Sequence, residues 1–136
     1  MTGPGDAAVP AGQGGHIAER YGYRTHAALL DLLDFADMAA RLVARGRPAY
    51  DLDETLRLAA EAITHRIGEA VARLSQDFIA DHSQIEWRKI KGMRNIVSHQ
   101  YAHIDHAIVW NALADRIPAT AAEVRGILTG SDLNSS

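Results

Sequence analysis

Three residues whose side chains can act on a phosphodiester bond lie close together in the chain: Arg94, His99 and Tyr101. An arginine guanidinium presents a planar fork of donors that suits phosphate oxygens. A histidine titrates near neutral pH and can serve as a general acid or a general base. Cleavage of RNA without a metal ion needs a base, an acid and a cation, which one arginine and two histidines would supply. Solvated helix charges beside a core tyrosine would also produce such a trio.

The segment 85–105 around these residues carries the concentrated positive charge of a chain whose net charge is −3. Arg88, Lys89 and Lys91 precede Arg94 within seven residues. A local basic cluster of this kind can follow a nucleic-acid backbone, although each of these side chains is also typical of a solvated helix face.

Two more histidines, His103 and His106, follow His99 at spacings of four and seven residues. On a continuous helix the three would share one face, and a pair spaced by four can bind zinc. No carboxylate completes a convincing ligand set, because Asp105 would point elsewhere, so we expect neither a metal site nor a cofactor. His103 is expected to assist proton transfer or to bind phosphate.

The chain has 136 residues, of which 47% are hydrophobic and 23% are charged, as is typical of a single globular domain. It contains no cysteine, which excludes disulfides, thiolate zinc sites, iron–sulfur clusters and a cysteine nucleophile. No apolar run approaches the roughly 20 residues of a membrane helix, and the N-terminus does not read as a signal peptide. We therefore expect a cytoplasmic protein that makes no use of a membrane.

The apolar residues follow a helical period through the middle of the chain, with no alternating pattern of useful length. This period predicts an all-α, up-and-down bundle of four to five helices. Residues 21–130 are expected to form this helical domain. Residues 1–20 are expected to be a flexible tail, and residues 131–136 a frayed C-terminus.

Capping residues and helix breakers predict where the positioning helices begin. Thr25 is a plausible N-cap for the first helix, and Asp51 with Glu54 forms a capping-box pattern for the second. A third helix is predicted to start near Trp87. The last helix contains Pro118, which predicts a kink or a local restart.

Several residues of the predicted helices are weighed between a structural and a functional role. Gly68 costs about 1 kcal/mol relative to alanine inside a helix, so it is expected to permit close approach of another helix. Glu69 is expected either to contact Arg94 or a second copy of the chain, or to be an ordinary exposed glutamate. Trp87 and Trp110 are interpreted as core anchors. Three aspartates of the first helix are interpreted as a solvated face: Asp31, Asp34 and Asp37.

The spacing Arg94, four residues, His99, one residue, Tyr101 resembles the motif of the HepT-like toxins of the HEPN superfamily. The resemblance extends over about residues 25–130. It includes the following segments: Ile67-Gly68-Glu69-Ala70, Leu74-Ser75, Ile85-Glu86-Trp87, Gly92-Met93-Arg94-Asn95, Ile104-Asp105 and Val109-Trp110.

The resemblance implies a HEPN-like, homodimeric protein that acts as the toxin of a type VII-like toxin–antitoxin module. It implies a metal-independent endoribonuclease with a cleft at the dimer interface, and an antitoxin that is a minimal nucleotidyltransferase. Such an antitoxin transfers AMP to the motif tyrosine, here Tyr101. Arg94 would then bind the scissile phosphate, His99 would act as acid and base, and Asn95 would orient His99 or the phosphate.

A straight helix cannot direct the whole motif to one point. At about 100° per residue, Tyr101 lies about 20° from Arg94 around the axis, whereas His99 lies about 140° from it. Either a second copy completes the site by two-fold symmetry, which would also supply a second histidine, or the helix breaks near Asn95 or Ser98. A non-catalytic helical module that docks a nucleotidyltransferase or binds a nucleotide, and a scaffolding protein without a cleft, are the alternatives to an enzyme.

Overall fold

The computed structural model describes residues 15–98 and 105–130, and these residues form helices and no strand. The α-helices are α1 (Gly15–Tyr21), α2 (Tyr23–Val43), α3 (Arg47–Leu52), α4 (Glu54–Ala72), α5 (Gln76–Asp81), α6 (Trp87–Ser98), α7 (His106–Asn111) and α8 (Ile117–Thr129). A π-helical turn, Ala112–Arg116, joins α7 to α8.

The long helices form the predicted all-α, up-and-down bundle, which is confirmed. Helix α4 packs against both α2 and α6, and α2 also packs against α8. The start of α2 lies beside the end of α4, since the Thr25 hydroxyl accepts a hydrogen bond from the Ser75 amide at 3.0 Å. Arg73 and Asp31 join the same two helices by an ion pair of 2.9 Å. These contacts establish that α2 and α4 run antiparallel.

The core lies between these helices and is almost entirely apolar. Its fully buried large side chains come from every long helix and include Leu29, Leu32, Ile67, Ile90, Met93, Leu113, Ile117 and Leu128. Burial of this apolar surface is the main favourable term in the free energy of folding.

Two predicted helix starts are wrong. Thr25 is not an N-cap, because α2 already begins at Tyr23 and the buried Thr25 hydroxyl is used by Ser75. Helix α4 does not begin at Asp51, which lies inside α3. The chain becomes extended only at Asp53, whose carboxylate caps α4 by accepting from the Thr55 amide at 2.9 Å.

Order begins earlier than the expected boundary between residues 20 and 21. Helix α1 starts at Gly15, and Ile17 is buried in the core. The His16 ring lies within hydrogen-bond distance, 3.1 Å, of the Ile127 carbonyl oxygen. The rest of the expected tails, residues 1–14 and 131–136, falls outside the described ranges.

Asp31 and Asp37 each form an ion pair, although their side chains remain 45% and 29% exposed. Asp31 pairs with Arg73 of the C-cap of α4, and Asp37 pairs with Arg125 of α8 at 2.9 Å. Their spacing along α2 thus serves contacts to two neighbouring elements. None of the helices in the described part of the chain is long and apolar enough to cross a membrane.

Pro118 lies at the first turn of α8, directly after the π turn. A proline is tolerated there because the first amides of a helix have no intrahelical partner. The predicted local restart at Pro118 is therefore confirmed, and the helical path continues from α7 to α8.

Candidate functional site

The basic helix α6 is fixed at its first residue. The Trp87 indole Nε1 donates a hydrogen bond of 2.9 Å to the His82 carbonyl oxygen, and its ring packs on Phe78 with centroids 5.7 Å apart. Both Trp87 and Phe78 are buried. The interpretation of Trp87 as a core anchor is confirmed, and the anchor sets where α6 begins.

The middle of α6 lies directly on α4. A Cβ atom at Gly68 would be 2.8 Å from Arg94 Cβ, 3.0 Å from the Arg94 nitrogen and 3.1 Å from the Lys91 carbonyl oxygen. A separation of 2.8 Å is closer than real Cβ atoms come to other heavy atoms, and the other two distances are tighter than most contacts. The prediction that Gly68 permits a close helix approach is confirmed, and the residue that approaches is Arg94 itself.

Glu69, the residue after Gly68, holds the Arg94 side chain. Arg94 Nη1 lies 2.9 Å from Glu69 Oε2, with the two side chains 33% and 48% exposed. Of the expected roles for Glu69, the contact with Arg94 is the one observed. A guanidinium has five N–H donors and can contact a carboxylate and a phosphate at the same time.

Polar residues continue from Arg94 around the exposed side of α6. At 100° per residue, Lys91, Asn95 and Arg88 lie about 60°, 100° and 120° around the axis from Arg94. All three are exposed. The helix therefore presents Arg94 at the edge of a polar surface that carries two more cations.

Lys89 lies at the far end of this surface. It is about 220° around α6 from Arg94 in the same direction, beyond Arg88, and the remaining arc back to Arg94 carries the buried Ile90 and Met93. Its Nζ pairs with Glu86 Oε2 at 2.8 Å, and this hydrogen bond lowers the pKa of the Glu86 carboxyl from its ordinary value of 4.5. The basic cluster of the sequence is thus spread across the whole exposed side of one helix.

His99, Tyr101 and His103 lie outside the described residues, in the connection between α6 and α7. The end of that connection is defined by Asp105, which has extended backbone (φ −84°, ψ 101°). Its carboxylate accepts hydrogen bonds from the Ala107 and Ile108 amides at 3.0 and 3.3 Å. Asp105 is therefore the N-cap of α7, and a single continuous helix from His99 through His106 is not formed.

Tyr50 secures the first residue of α7. Its side chain is fully buried, and its hydroxyl donates a hydrogen bond of 2.8 Å to the His106 carbonyl oxygen. Its ring packs against Trp110, with centroids 5.0 Å apart, which confirms Trp110 as part of the core. Burial raises the pKa of the Tyr50 hydroxyl above its ordinary value of 10.0. Sequence reasoning missed Tyr50, because 56 residues separate it from its partner.

His106 lies beside a carboxylate. Its Nδ1 lies 3.8 Å from Glu61 Oε2 of α4. Within residues 15–98 and 105–130, no three histidine or acidic side chains are grouped so that they could hold a metal ion.

A family model described as Ribonuclease HepT-like matches residues 32–127 of the chain. A protein of Caldanaerobacter subterraneus subsp. tengcongensis named "Putative RNase" is 37% identical over 62 residues, which are 46% of this chain and 55% of the relative. A "Putative RNase" of Methanocaldococcus jannaschii is 33% identical over 72 residues, 51% of this chain and 60% of the relative. The "Probable ribonuclease HepT" of Thermococcus cleftensis is 34% identical over 53 residues, 39% and 48% of the two chains.

The chain thus spans about half the length of the curated relatives it matches. No solved structure gives a significant match. The resemblance drawn from the motif and its surrounding segments is confirmed by the family match, which includes Glu69, Arg94 and His99.

Proposed function

The chain belongs to the HepT-like ribonuclease family, and on this premise we propose that it is the toxin of a type VII-like toxin–antitoxin pair. It cleaves RNA as a metal-independent endoribonuclease, in the cytoplasm where its substrate is found. The observation that carries the proposal is the placement of Arg94. Its guanidinium is held by Glu69 at 2.9 Å, beside the exposed Lys91 and five residues before His99.

The reaction uses side-chain chemistry alone. His99 removes the proton from a ribose 2′-hydroxyl, whose oxygen attacks the adjacent phosphorus. Arg94 binds the phosphate and stabilises the charge that develops on it. The bond from phosphorus to the 5′-oxygen breaks, and a second histidine donates the proton that this oxygen takes. Asn95 orients His99 or the phosphate, and His103 assists the proton transfers or binds phosphate.

A homodimer supplies the second histidine. Two copies related by a two-fold axis bring His99 and Arg94 of each chain to one shared cleft. The exposed cations Arg88 and Lys91, and Lys89 at the far end of the same exposed side of α6, bind the RNA backbone on both sides of that cleft. The close packing of α6 on α4 at Gly68 supports this arrangement, because it gives Arg94 a rigid base.

A minimal nucleotidyltransferase antitoxin controls the activity by transferring AMP to Tyr101. The modification adds a bulky anionic group two residues from His99. It blocks RNA both by its volume and by repulsion of the phosphates. The chain itself needs no cofactor for cleavage, and neither the enzyme nor its partner requires a membrane.

Cleavage by the purified chain in the presence of EDTA tests the ribonuclease proposal. Unmodified protein is expected to degrade RNA under these conditions, and His99→Ala is expected to abolish cleavage while circular dichroism and sedimentation stay unchanged. His26→Ala, which removes a histidine near the start of α2, is the matched control and should retain activity. A folded, dimeric, unmodified sample that leaves RNA intact would favour a non-catalytic module that docks the nucleotidyltransferase or binds a nucleotide.

Intact mass tests the regulatory part of the proposal. A non-toxic variant is expressed alone and then with the neighbouring gene, and the mass is expected to rise by one or more AMP units. The increase should disappear in Tyr101→Phe, which should also stay toxic when the antitoxin is present. If the antitoxin fully neutralises the toxicity of Tyr101→Phe, the toxin is instead controlled by occlusion of its site by the bound partner or by modification of another residue.

A further inference from the structure

A groove separates α6 from the helix formed by α7 and the π turn. Its volume is about 500 Å³, which is within the range of pockets that hold small organic ligands. Met93, Ile108 and Ala112 form its apolar lining. Met93 and Ala112 are buried, but the Ile108 side chain is 51% exposed, so the groove offers an apolar surface that the fold does not cover.

Polar groups surround this apolar surface. Lys89 and Arg116 provide two cations, and Asn111 and Asp115 provide an amide and a carboxylate. Arg116 lies near enough to Glu86 to help lower the pKa of its carboxyl, although no ion pair of Arg116 is found among the described residues. Lys89 is paired with the exposed Glu86, and a phosphate could take the place of this carboxylate.

The π turn is what brings Arg116 to the groove. In a regular α-helix, residues five apart lie about 140° from one another around the axis. Bonding from residue i to i+5 instead brings Asn111 and Arg116 toward one side, and both line the groove. Helices seldom contain a π turn, and where one occurs it often adjoins a functional site.

The groove is continuous with the polar surface of α6. From Arg94 the exposed side of the helix passes Lys91 and Arg88, and then reaches Gly92 at about 160° around the axis. Gly92 lines the groove and has no atom within 4 Å of where its Cβ would lie, so the surface is open there. Arg94 and the groove thus lie on nearly opposite sides of α6, and a strand that follows the exposed side around the helix can contact both.

We propose that this groove binds one nucleotide of the RNA substrate, flanking the phosphate held at Arg94. The inference rests on the proposed ribonuclease function. The base lies on Ile108 and Met93, and the phosphate contacts Arg116 and Lys89. Asp115 or Asn111 accepts a hydrogen bond from the ribose 2′-hydroxyl, the group that distinguishes RNA from DNA.

Titration of a fluorescent single-stranded RNA, followed by anisotropy, tests the proposal. The titration uses His99→Ala protein with an all-RNA oligonucleotide, and unaltered protein with a 2′-fluoro oligonucleotide that lacks the attacking hydroxyl. Arg116→Gln is expected to weaken binding several-fold and to lower the salt dependence by about one released counterion. Ile108→Ser is expected to weaken binding without changing the salt dependence. Arg24→Gln removes an exposed cation that does not line the groove, and this variant should bind RNA as before.

The outcomes separate this inference from the proposed function. RNA cleavage with the affinity and KM of Arg116→Gln and Ile108→Ser unchanged would overturn the groove and leave the ribonuclease intact. If RNA binding depends on the groove but the unaltered chain does not cleave RNA, the proposed nucleotide site would stand and the proposed ribonuclease function would be wrong. If these variants bind RNA normally but no longer bind AMP, the groove would be a site for a free mononucleotide. If Ile108→Ser became monomeric and kept its affinity for RNA, the groove would be a contact between two copies of the chain rather than a nucleotide site.

Discussion

Gly68 of α4 and Arg94 of α6 lie so close that a Cβ atom on the glycine would stand 2.8 Å from Arg94 Cβ. The next residue of α4, Glu69, binds the Arg94 guanidinium at 2.9 Å. One turn of α4 therefore determines both where the backbone of Arg94 sits and how its side chain is directed. The adjacent Gly68 and Glu69 thus position this arginine, the glycine by allowing close approach and the glutamate by an ion pair.

Gly68→Ala is expected to destabilise the fold by about 1–2 kcal/mol, even though alanine is the better helix former. The added methyl group meets backbone atoms of Arg94 and Lys91, so the two helices must move apart. The free energy of unfolding is measured by urea denaturation.

Gly92→Ala is the matched control, since Gly92 also lies inside a helix but has nothing within 4 Å of its Cβ position. It should leave stability unchanged or raise it by up to about 1 kcal/mol. Equal stability of the two variants would show that the crossing at Gly68 is not sterically limited.

Glu69→Gln is expected to lower kcat of RNA cleavage several-fold while changing stability by less than about 1 kcal/mol. The ion pair is partly exposed, so it contributes little to folding, but its loss frees the guanidinium to leave the geometry that the transition state needs. Steady-state kinetics and urea denaturation on the same samples separate the two effects. Glu19→Gln, which alters an exposed glutamate of α1, should change neither quantity, and a kcat for Glu69→Gln equal to that of the unaltered chain would remove Glu69 from the site.

Tyr50→Phe is expected to lower the free energy of unfolding by about 1 kcal/mol. The variant loses the hydrogen bond of 2.8 Å from a fully buried hydroxyl to the first residue of α7. Thermal unfolding should show a decrease of a few degrees in Tm. Tyr23→Phe, at a side chain that is 84% exposed, should have no measurable effect, and equal Tm values for the two variants would contradict the role given to Tyr50.

Stability is expected to fall as the pH rises above about 10. Burial raises the pKa of Tyr50 above 10.0 in the folded chain, so the unfolded chain loses this proton first. The stabilising contribution is thus fully present below the unfolded pKa and is lost as the pH rises through the folded one. Tyr21 contributes in the same direction, since burial and its hydrogen bond to Asp81 raise its pKa.

Urea midpoints measured between pH 8 and pH 11 test this dependence. The urea midpoint of Tyr50→Phe should decline less steeply with pH than that of the unaltered chain, because the variant keeps Tyr21 but lacks the raised pKa of Tyr50. A decline of the same steepness would place the alkaline sensitivity elsewhere.

Local patterns in the sequence were enough to predict the helical class, the start of α6 at Trp87, the restart at Pro118 and the close approach at Gly68. Each depends on periodicity or on the conformational preference of one residue. The starts of α2 and α4 were wrong for the opposite reason. Thr25 and Asp51 carry side chains suited to capping, but the Thr25 hydroxyl accepts a hydrogen bond from Ser75 and Asp51 lies inside a short helix with Pro48 in its first turn.

The family, the helical architecture and the candidate catalytic groups could be predicted from the sequence, because a short motif and a helical period are both formed by neighbouring residues. Which groups meet depends on how the helices pack. The packing pairs Arg94 with Glu69 across 25 residues and Tyr50 with His106 across 56, and it places Arg116 in a groove beside α6. Such contacts form between helices that are distant in sequence, and the spacing of residues along the chain does not show which helices lie close together in the fold.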